Sequence, residues 1–130
     1  MSGTHSPDPS APSSPAEFFG GHPEGLAIYA AVAAMIRTIG ECEERVSRSQ
    51  VAFRRRRGFA FVWRPAQYVR SDVPAVLSIA TPQRLESPRF KEVAHPAPGT
   101  WMHHLEVREP AAIDAEVREW LRLAYDSAGA

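Results

Sequence analysis

Residues 50–63, QVAFRRRRGFAFVW, decide the fold because they predict two β-strands joined by a tight turn. The runs on either side of the four arginines are rich in aromatic, β-branched and small residues, which is typical of strands. Gly58 follows the arginines, where a hairpin turn favours a residue that can adopt a positive φ. The stretch therefore predicts a β-hairpin with the arginines at its tip.

The two faces of this hairpin differ in side-chain size. Alternation along a strand places Phe59, Phe61 and Trp63 on one face, and we assign that face to the core. The other face of the central strands is expected to be small and smooth, formed by Ala52, Ala60, Val62, Val76 and Ser78. An apolar strip of this kind rarely stays exposed, so we expect a helix, a partner or a ligand to cover it.

Outside the hairpin, apolar residues recur at helical spacing near both ends of the chain. One such segment is residues 24–39, with Gly40 as its stop, and another begins at Glu109-Pro110 and continues to Ala124. Between them we predict strands at 42–47, 51–54, 59–63, 75–80, 89–94 and 101–107. Because strands and helices do not alternate, we predict an α+β fold, a mostly antiparallel sheet of four to six short strands flanked by an N-terminal and a C-terminal helix.

Length and composition fit one domain. The chain has 130 residues, and the Ser/Pro-rich residues 1–15 predict a disordered leader before a single domain at 16–130. Cys42, the one cysteine, allows no intrachain disulfide and fits a reducing cytoplasm. The longest apolar run, residues 26–36, is too short to span a bilayer. We therefore expect a soluble, cytoplasmic protein without a membrane partner.

The charges are unevenly distributed along the chain. The net charge is zero, yet residues 50–91 carry eight Arg and one Lys against one Asp and one Glu, which gives +7. Guanidinium groups bind phosphates and carboxylates through planar, paired donors. The block therefore favours a binding domain for an anionic ligand or an acidic protein partner, and nucleic acid is one such partner. The simpler reading is a solvated turn whose charges protect a sheet edge.

The candidate residues for this recognition surface lie on the hairpin and on the predicted strand at 89–94. They are Arg54, Arg55, Arg56, Arg57, Arg64, Arg89 and Lys91. Ser49 and Gln50 precede the first hairpin strand, where they either bond at the strand entry or line a cleft beside the hairpin.

An alternative polar site involves histidines. In the segment WMHHLEV, residues 101–107, alternation puts His103 among apolar side chains and places His104 on the same face as Glu106. His104 and Glu106, with His95 as a further candidate, could act as a base or as ligands in a small enzyme or metal-dependent protein. The simpler reading is one buried structural histidine beside a surface one.

Signatures of known chemistry are absent from the sequence. It has no GxSxG, no HExxH and no phosphate-binding glycine-rich loop, and Cys42 has no predictable activating base. We therefore predict no cofactor and no metal, and favour a binding domain over an enzyme. Self-association through the smooth sheet face, giving a homodimer, is a third hypothesis.

Three segments taken together carry a resemblance. RSQVAFRRRRGFAFVWRP, SPRFKEV and APGTWMHHLEVR occur in this order, and the chain from about Phe18 to Tyr125 resembles small actinobacterial proteins of domain-of-unknown-function family 5655. The resemblance implies one fold over this length. It implies no reaction, ligand or catalytic residue, because none is assigned to the group.

Overall fold

The computed structural model describes residues 11–130, and the predicted leader therefore lies mostly outside the described residues. Within them, the elements in chain order are α1 (Pro15–Phe18), α2 (Pro23–Arg37), β1 (Glu43–Val46), β2 (Val51–Arg54), β3 (Gly58–Trp63), β4 (Ala75–Thr81), β5 (Glu92–Ala97), β6 (Thr100–Val107) and α3 (Ala115–Ala128). Two single 3₁₀ turns, Pro65–Gln67 and Pro110–Ala112, follow β3 and precede α3. The predicted α+β class is confirmed.

The six strands of residues 11–130 form one antiparallel sheet with the order β1-β2-β3-β4-β6-β5. β4 lies between β3 and β6, and all of its residues except Ala80 are buried. α2 and α3 pack on one face of the sheet, where they share a single core with the strands. The opposite face, which we call the open face, has no helix among these contacts.

Local chemistry explains where the helices begin. α2 starts with Pro23, whose missing N–H costs nothing in the first turn. α3 starts after Asp114, whose carboxylate accepts a hydrogen bond from the Val117 backbone N–H at 3.1 Å. α1 is a single turn capped by the Ser14 side chain, which accepts from the backbone N–H of Glu17.

The structure reverses the predicted faces of β3. Ala60 and Val62 are fully buried, and their cross-strand partners on β4 are Ile79 and Leu77 of the helix-covered face. Phe61 therefore lies on the open face, where it is half-buried. The prediction assigned the larger side chains of β3 to the core, but α2 and α3 cover the other face of the strand, so Ala60 and Val62 contribute to the core in place of Phe61 and Trp63.

The remaining β3 aromatics follow from this reversal. Trp63 lies on the open face with Phe61, opposite Val76 of β4. Phe59, next to the irregular start of the strand, is fully buried and packs edge-on against Tyr125 of α3. The open face is thus aromatic at β3, not small and smooth as predicted.

Gly58 is required for a different reason from the one predicted. Its φ is not positive; among the described residues only Gly21 and Gly99 have a positive φ. A Cβ on Gly58 would instead lie 2.7 Å from ring atom Cζ of Phe61. Glycine is therefore needed here because the Phe61 ring approaches the backbone.

Strand β5, which pairs with β6, begins later than predicted. β5 covers Glu92–Ala97 rather than 89–94, and it includes His95 and Pro96. β5 is an edge strand, and proline is tolerated there because its missing N–H costs no hydrogen bond on the side without a neighbouring strand. Arg89 consequently lies in the preceding loop. No helix among residues 11–130 is both long and apolar enough to cross a lipid bilayer.

Candidate functional site

A cleft of about 590 Å³ opens on the open face of the sheet. Its floor is formed by β3, β4 and β6, and its walls come from the segment before β2 and the loop after β3. The lining residues are mostly apolar or aromatic: Ser49, Gln50, Phe61, Trp63, Pro65, Tyr68, Val69, Ser78, Met102 and His104. Apolar walls with a few polar groups are the usual composition of a small-molecule site.

A chain of hydrogen bonds crosses the cleft floor. Trp63 donates its Nε1–H to the Oγ of Ser78 over 2.8 Å. The same Oγ lies 2.6 Å from Nδ1 of His104. We call Trp63, Ser78 and His104 the relay, since each side chain is bonded to the next.

The relay lies in a largely dry environment. Ser78 is only 3% exposed, and burial lowers the pKa of His104 below its ordinary value because it penalises the imidazolium. Glu92, the cross-strand neighbour of His104, acts weakly in the opposite direction. Burial therefore favours the neutral form of the His104 imidazole.

The loop after β3 forms the outer wall. Its 3₁₀ turn is closed by a hydrogen bond from the Tyr68 N–H to the Pro65 carbonyl, 3.0 Å long. Gln67 ties the loop to the opposite wall by donating from Nε2 to the Arg48 carbonyl at 3.0 Å. Tyr68 packs edge-on against Trp63, with ring centroids 6.0 Å apart. These contacts hold the aromatic walls in position without a ligand.

Two large apolar side chains of this wall face water. Tyr68 is 60% exposed and Val69 is 63% exposed, and the only other exposed large hydrophobic residue within residues 11–130 is Leu123 on α3. Leu123 belongs to a helix that packs on the other face of the sheet. The two exposed residues beside the cleft therefore mark its mouth as the main apolar patch of the described surface.

The structure brings some of the predicted polar residues together. Ser49 and Gln50, predicted either as strand-entry residues or as cleft residues, line the cleft with His104. Glu106 follows on the same face of β6 but is exposed and is not part of the lining.

His95 does not join them. Its ring stacks on the ring of Trp101, with the centroids 3.8 Å apart. Trp101 lies two residues before buried His103 on β6, so both lie on the face of the sheet opposite to His104. Within residues 11–130, no three His, Cys, Asp or Glu side chains converge into a group that could hold a metal ion.

His103 has the structural environment expected of a buried histidine. It is fully buried, with Nδ1 3.0 Å from the Ile79 carbonyl. The Leu85 N–H donates to its Nε2 over 2.9 Å. Both ring nitrogens are therefore satisfied by the backbone, and the histidine holds the loop between β4 and β5.

Three of the predicted recognition arginines form hydrogen bonds within the chain. Arg55 donates from Nη1 to the Tyr125 carbonyl at 2.9 Å and lies over the Tyr125 ring. Arg57 donates from Nη2 to the Ser127 carbonyl at 2.7 Å. These bonds satisfy carbonyls at the negative end of α3, while both arginines remain exposed, so their role in recognition stays a prediction.

Arg89 is the third. It is 29% exposed, and its Nη1 donates to Asp114 at 3.1 Å and to Glu116 at 2.8 Å. Its Nη2 donates to the Ala112 carbonyl at 2.9 Å. These bonds fix the preceding loop to the first turn of α3, and the hydrogen bond to Glu116, followed by the one to Asp114, raises the pKa of Arg89.

The other predicted cations do not form one patch. Arg54 is half-buried, with Nε 3.9 Å from Glu43. Among the described residues, the side chains of Arg56, Arg64 and Lys91 have no hydrogen bond or ion pair. Arg56 and Arg64 lie beyond opposite ends of β3, which separates them by roughly 20 Å at the rise of an extended strand.

A larger groove, about 900 Å³, lies between the C-terminal end of α2 and strands β1 and β2. Its charged side chains mostly pair with each other, as in the contact of Arg37 with Glu44 at 3.9 Å. The groove also contains Cys42, whose thiol pKa is raised by burial and which is therefore less reactive than a free thiol. We therefore consider the cleft on the open face the better candidate site, because its polar side chains form the relay and not ion pairs with each other.

A family model for a domain of unknown function, DUF5655, matches residues 16–128. The chain belongs to this family. Every element of the cleft falls within the DUF5655 match, as do both helices of the core. No curated protein and no solved structure matches the chain significantly.

Ser78 is the functional candidate that sequence reasoning passed over. It appeared in the prediction only as one small residue of a smooth face. The sequence contains one indication of its role, because Ser78 carries the one hydroxyl in the apolar run AVLSIA and a buried hydroxyl needs a hydrogen-bond partner. The partner could not be named, because the pairing of β4 with β6 brings together residues 26 positions apart.

Proposed function

We propose that this DUF5655 domain binds a small, mainly apolar molecule in the cleft on its open sheet face. The observation that carries the proposal is the relay of half-buried Trp63, buried Ser78 and half-buried His104 at the floor of an otherwise apolar, aromatic-walled cleft. A buried polar group at the bottom of an apolar cavity orients a ligand, while the apolar walls supply most of the affinity. The cleft volume of about 590 Å³ suits a ligand of one to three rings.

A small enzyme is the second candidate. The favouring observation is the short contact between the Ser78 Oγ and Nδ1 of neutral His104, which is the pairing of a nucleophile with a base. Two features favour binding instead. Ser78 is 3% exposed, and its oxygen already accepts from Trp63, so the hydroxyl is poorly placed to attack a substrate.

Recognition of an anionic ligand, an acidic protein or nucleic acid by the arginine hairpin is a weaker proposal. Its support is the basic block between residues 50 and 91. The intramolecular bonds of Arg55 and Arg57 leave Arg56 as the hairpin-tip cation without a partner in the described chain. One such cation predicts a slope of log K against log salt near −1 for DNA, whereas a full arginine grip predicts about −4.

Self-association through the open face is a further candidate, and light scattering at high concentration distinguishes it from ligand binding. For the cellular setting we propose a bacterial, actinobacterial cytoplasm. The support is the resemblance of the three sequence segments to actinobacterial proteins and the presence of a single, half-buried thiol, Cys42.

Naphthalene tests the proposed function, because it is apolar, planar and small enough for the cleft. In a titration followed by ¹H–¹⁵N NMR, we expect the signals of Trp63, Ser78 and His104 to shift. The Tyr68→Ala variant removes an exposed wall and should weaken binding about threefold to tenfold. Leu123→Ala is the matched control, because it removes an exposed apolar side chain from the other side of the protein. Absence of shifts, or equal weakening by both variants, would overturn the proposal.

A further inference from the structure

The hydrogen positions of the relay follow from the donors and acceptors it contains. The indole nitrogen of Trp63 can only donate, so the Ser78 oxygen accepts that bond. Ser78 then has one proton left, and because the residue is 3% exposed this proton needs an acceptor within the protein. Among the described residues the acceptor is Nδ1 of His104, 2.6 Å away.

The tautomer of His104 is thereby fixed. A neutral imidazole that accepts at Nδ1 carries its proton on Nε2. The described part of the chain gives Nε2 of His104 no hydrogen-bond partner, although this residue lines the cleft. On the cleft floor, the Nε2–H of His104 is therefore an unused donor, because the serine oxygen and the other ring nitrogen are already engaged.

The surroundings of this donor disfavour a negatively charged ligand. Glu92 lies directly across from His104 on β5, and Glu106 follows two residues later on the same face. A ligand carboxylate beside these side chains would meet like charge. Although neither carboxylate lines the cleft, their negative charge close to His104 favours an acceptor that carries no charge.

The walls define the shape of the ligand. Phe61, Trp63 and Tyr68 present ring faces and edges, which pack best against a flat ring system. We propose that the cleft selects a neutral planar aromatic compound with a hydrogen-bond acceptor, a ring nitrogen or a carbonyl oxygen, that takes the Nε2–H of His104. This inference rests on the proposed function, since it assumes that the cleft is a ligand site.

Matched probes separate the two claims. Isoquinoline and naphthalene have nearly the same size and shape, but only isoquinoline has a ring-nitrogen acceptor. We expect isoquinoline to bind about fivefold to tenfold more tightly at pH 7.5, where it is neutral. Indole, which has a donor and no comparable acceptor, should bind no more tightly than naphthalene.

The variant His104→Phe keeps an aromatic ring but removes the donor. In the NMR titration it should abolish the preference for isoquinoline over naphthalene, and the control His95→Phe should leave the preference intact. Binding of all three probes with equal affinity, or a preference that persists in His104→Phe, would overturn the inference but leave the proposed function standing. Absence of binding by every probe would overturn both.

A second measurement does not depend on a variant that folds. Long-range ¹H–¹⁵N spectra of the unliganded wild-type protein report which imidazole nitrogen carries the proton. We expect the His104 ring to be protonated at Nε2 and unprotonated at Nδ1. A proton on Nδ1 would overturn the inference, because the cleft would then present an acceptor in place of a donor.

Discussion

Ser78 and His104 are direct cross-strand partners of β4 and β6, and their side chains bond across the open face of the sheet. The pair joins the two strands at the centre of the cleft. Trp63 adds a third strand to the same network by donating to Ser78 from β3. The relay thus belongs to the framework of the sheet as well as to the candidate site.

Removal of the central hydroxyl should destabilise the protein. Ser78→Ala leaves the Trp63 N–H and Nδ1 of His104 without partners, which should lower the free energy of unfolding by about 1 to 3 kcal/mol. Urea denaturation measures the loss. Combining Ser78→Ala with Trp63→Phe should cost less than the sum of the two single effects, because both remove the same bond. Strict additivity, as expected for the control pair Ser78→Ala and Trp101→Phe, would contradict the relay.

The arginines of the hairpin should differ in their effect on stability. Arg57→Ala removes the bond to the Ser127 carbonyl and a positive charge at the end of α3, so the free energy of unfolding should fall by about 1 kcal/mol. Arg56→Ala, next to it, should change stability by less than about 0.5 kcal/mol, since that side chain has no partner among the described residues. Urea denaturation of both variants measures the two free energies of unfolding, and it distinguishes a structural role of Arg57 from an arginine run that is only solvated. Equal effects would contradict the capping role of Arg57.

His103 and His104 should make stability depend on pH. Burial lowers the pKa values of His103 and His104 in the folded state below their ordinary value of 6.5. The unfolded chain therefore binds more protons near pH 6, and this contribution to stability is complete above pH 6.5 and is lost as the pH falls below it. We expect the free energy of unfolding to decrease between pH 7.5 and pH 5.

The carboxylates contribute in a separate range. The pKa of Asp114 is lowered from 3.8, chiefly by the hydrogen bond from the Val117 N–H, so its stabilising effect is lost only in more acidic solution. A flat stability profile between pH 7.5 and pH 5 would show that His103 and His104 are not held neutral.

Two glycine substitutions should act in different ways. In Gly58→Ala the new Cβ would lie 2.7 Å from the Phe61 ring, so the ring must move, stability should fall by about 1 to 3 kcal/mol, and the NMR signals of the cleft should shift. Gly99 has φ +74° and no other atom within 4 Å of the place a Cβ would occupy, so Gly99→Ala should lose stability through backbone strain and leave the cleft signals unchanged. Unshifted Trp63 signals in Gly58→Ala would contradict the position given to Phe61.

Much of the fold follows from local pattern. The helical spacing in α2, the stop at Gly40 and the short apolar runs predicted the two flanking helices and four to six strands, because these signals depend on neighbours in sequence. The faces of β3 did not follow, because alternation defines two faces without saying which is inside. That choice depends on which face of the sheet α2 and α3 cover, which is a matter of tertiary packing.

The site was predictable only in part. His104, Ser49 and Gln50 were named from their polar character in or beside strands, and they line the cleft. The contribution of Ser78 depends on strand register, and the use of Arg55 by α3 depends on a contact between residues 70 positions apart. Neither the strand register nor this long-range contact can be predicted from neighbouring residues in a single sequence.

The location of a bound probe tests the central claim most directly. The chain has three methionines, of which Met102 lines the cleft, Met35 lies on α2 and Met1 lies outside the described residues. With ¹³C-labelled methionine methyl groups, the account predicts intermolecular NOEs between naphthalene and the Met102 methyl group, and none to Met35. NOEs to Met35 in place of Met102 would mean that the ligand site is not on the open face.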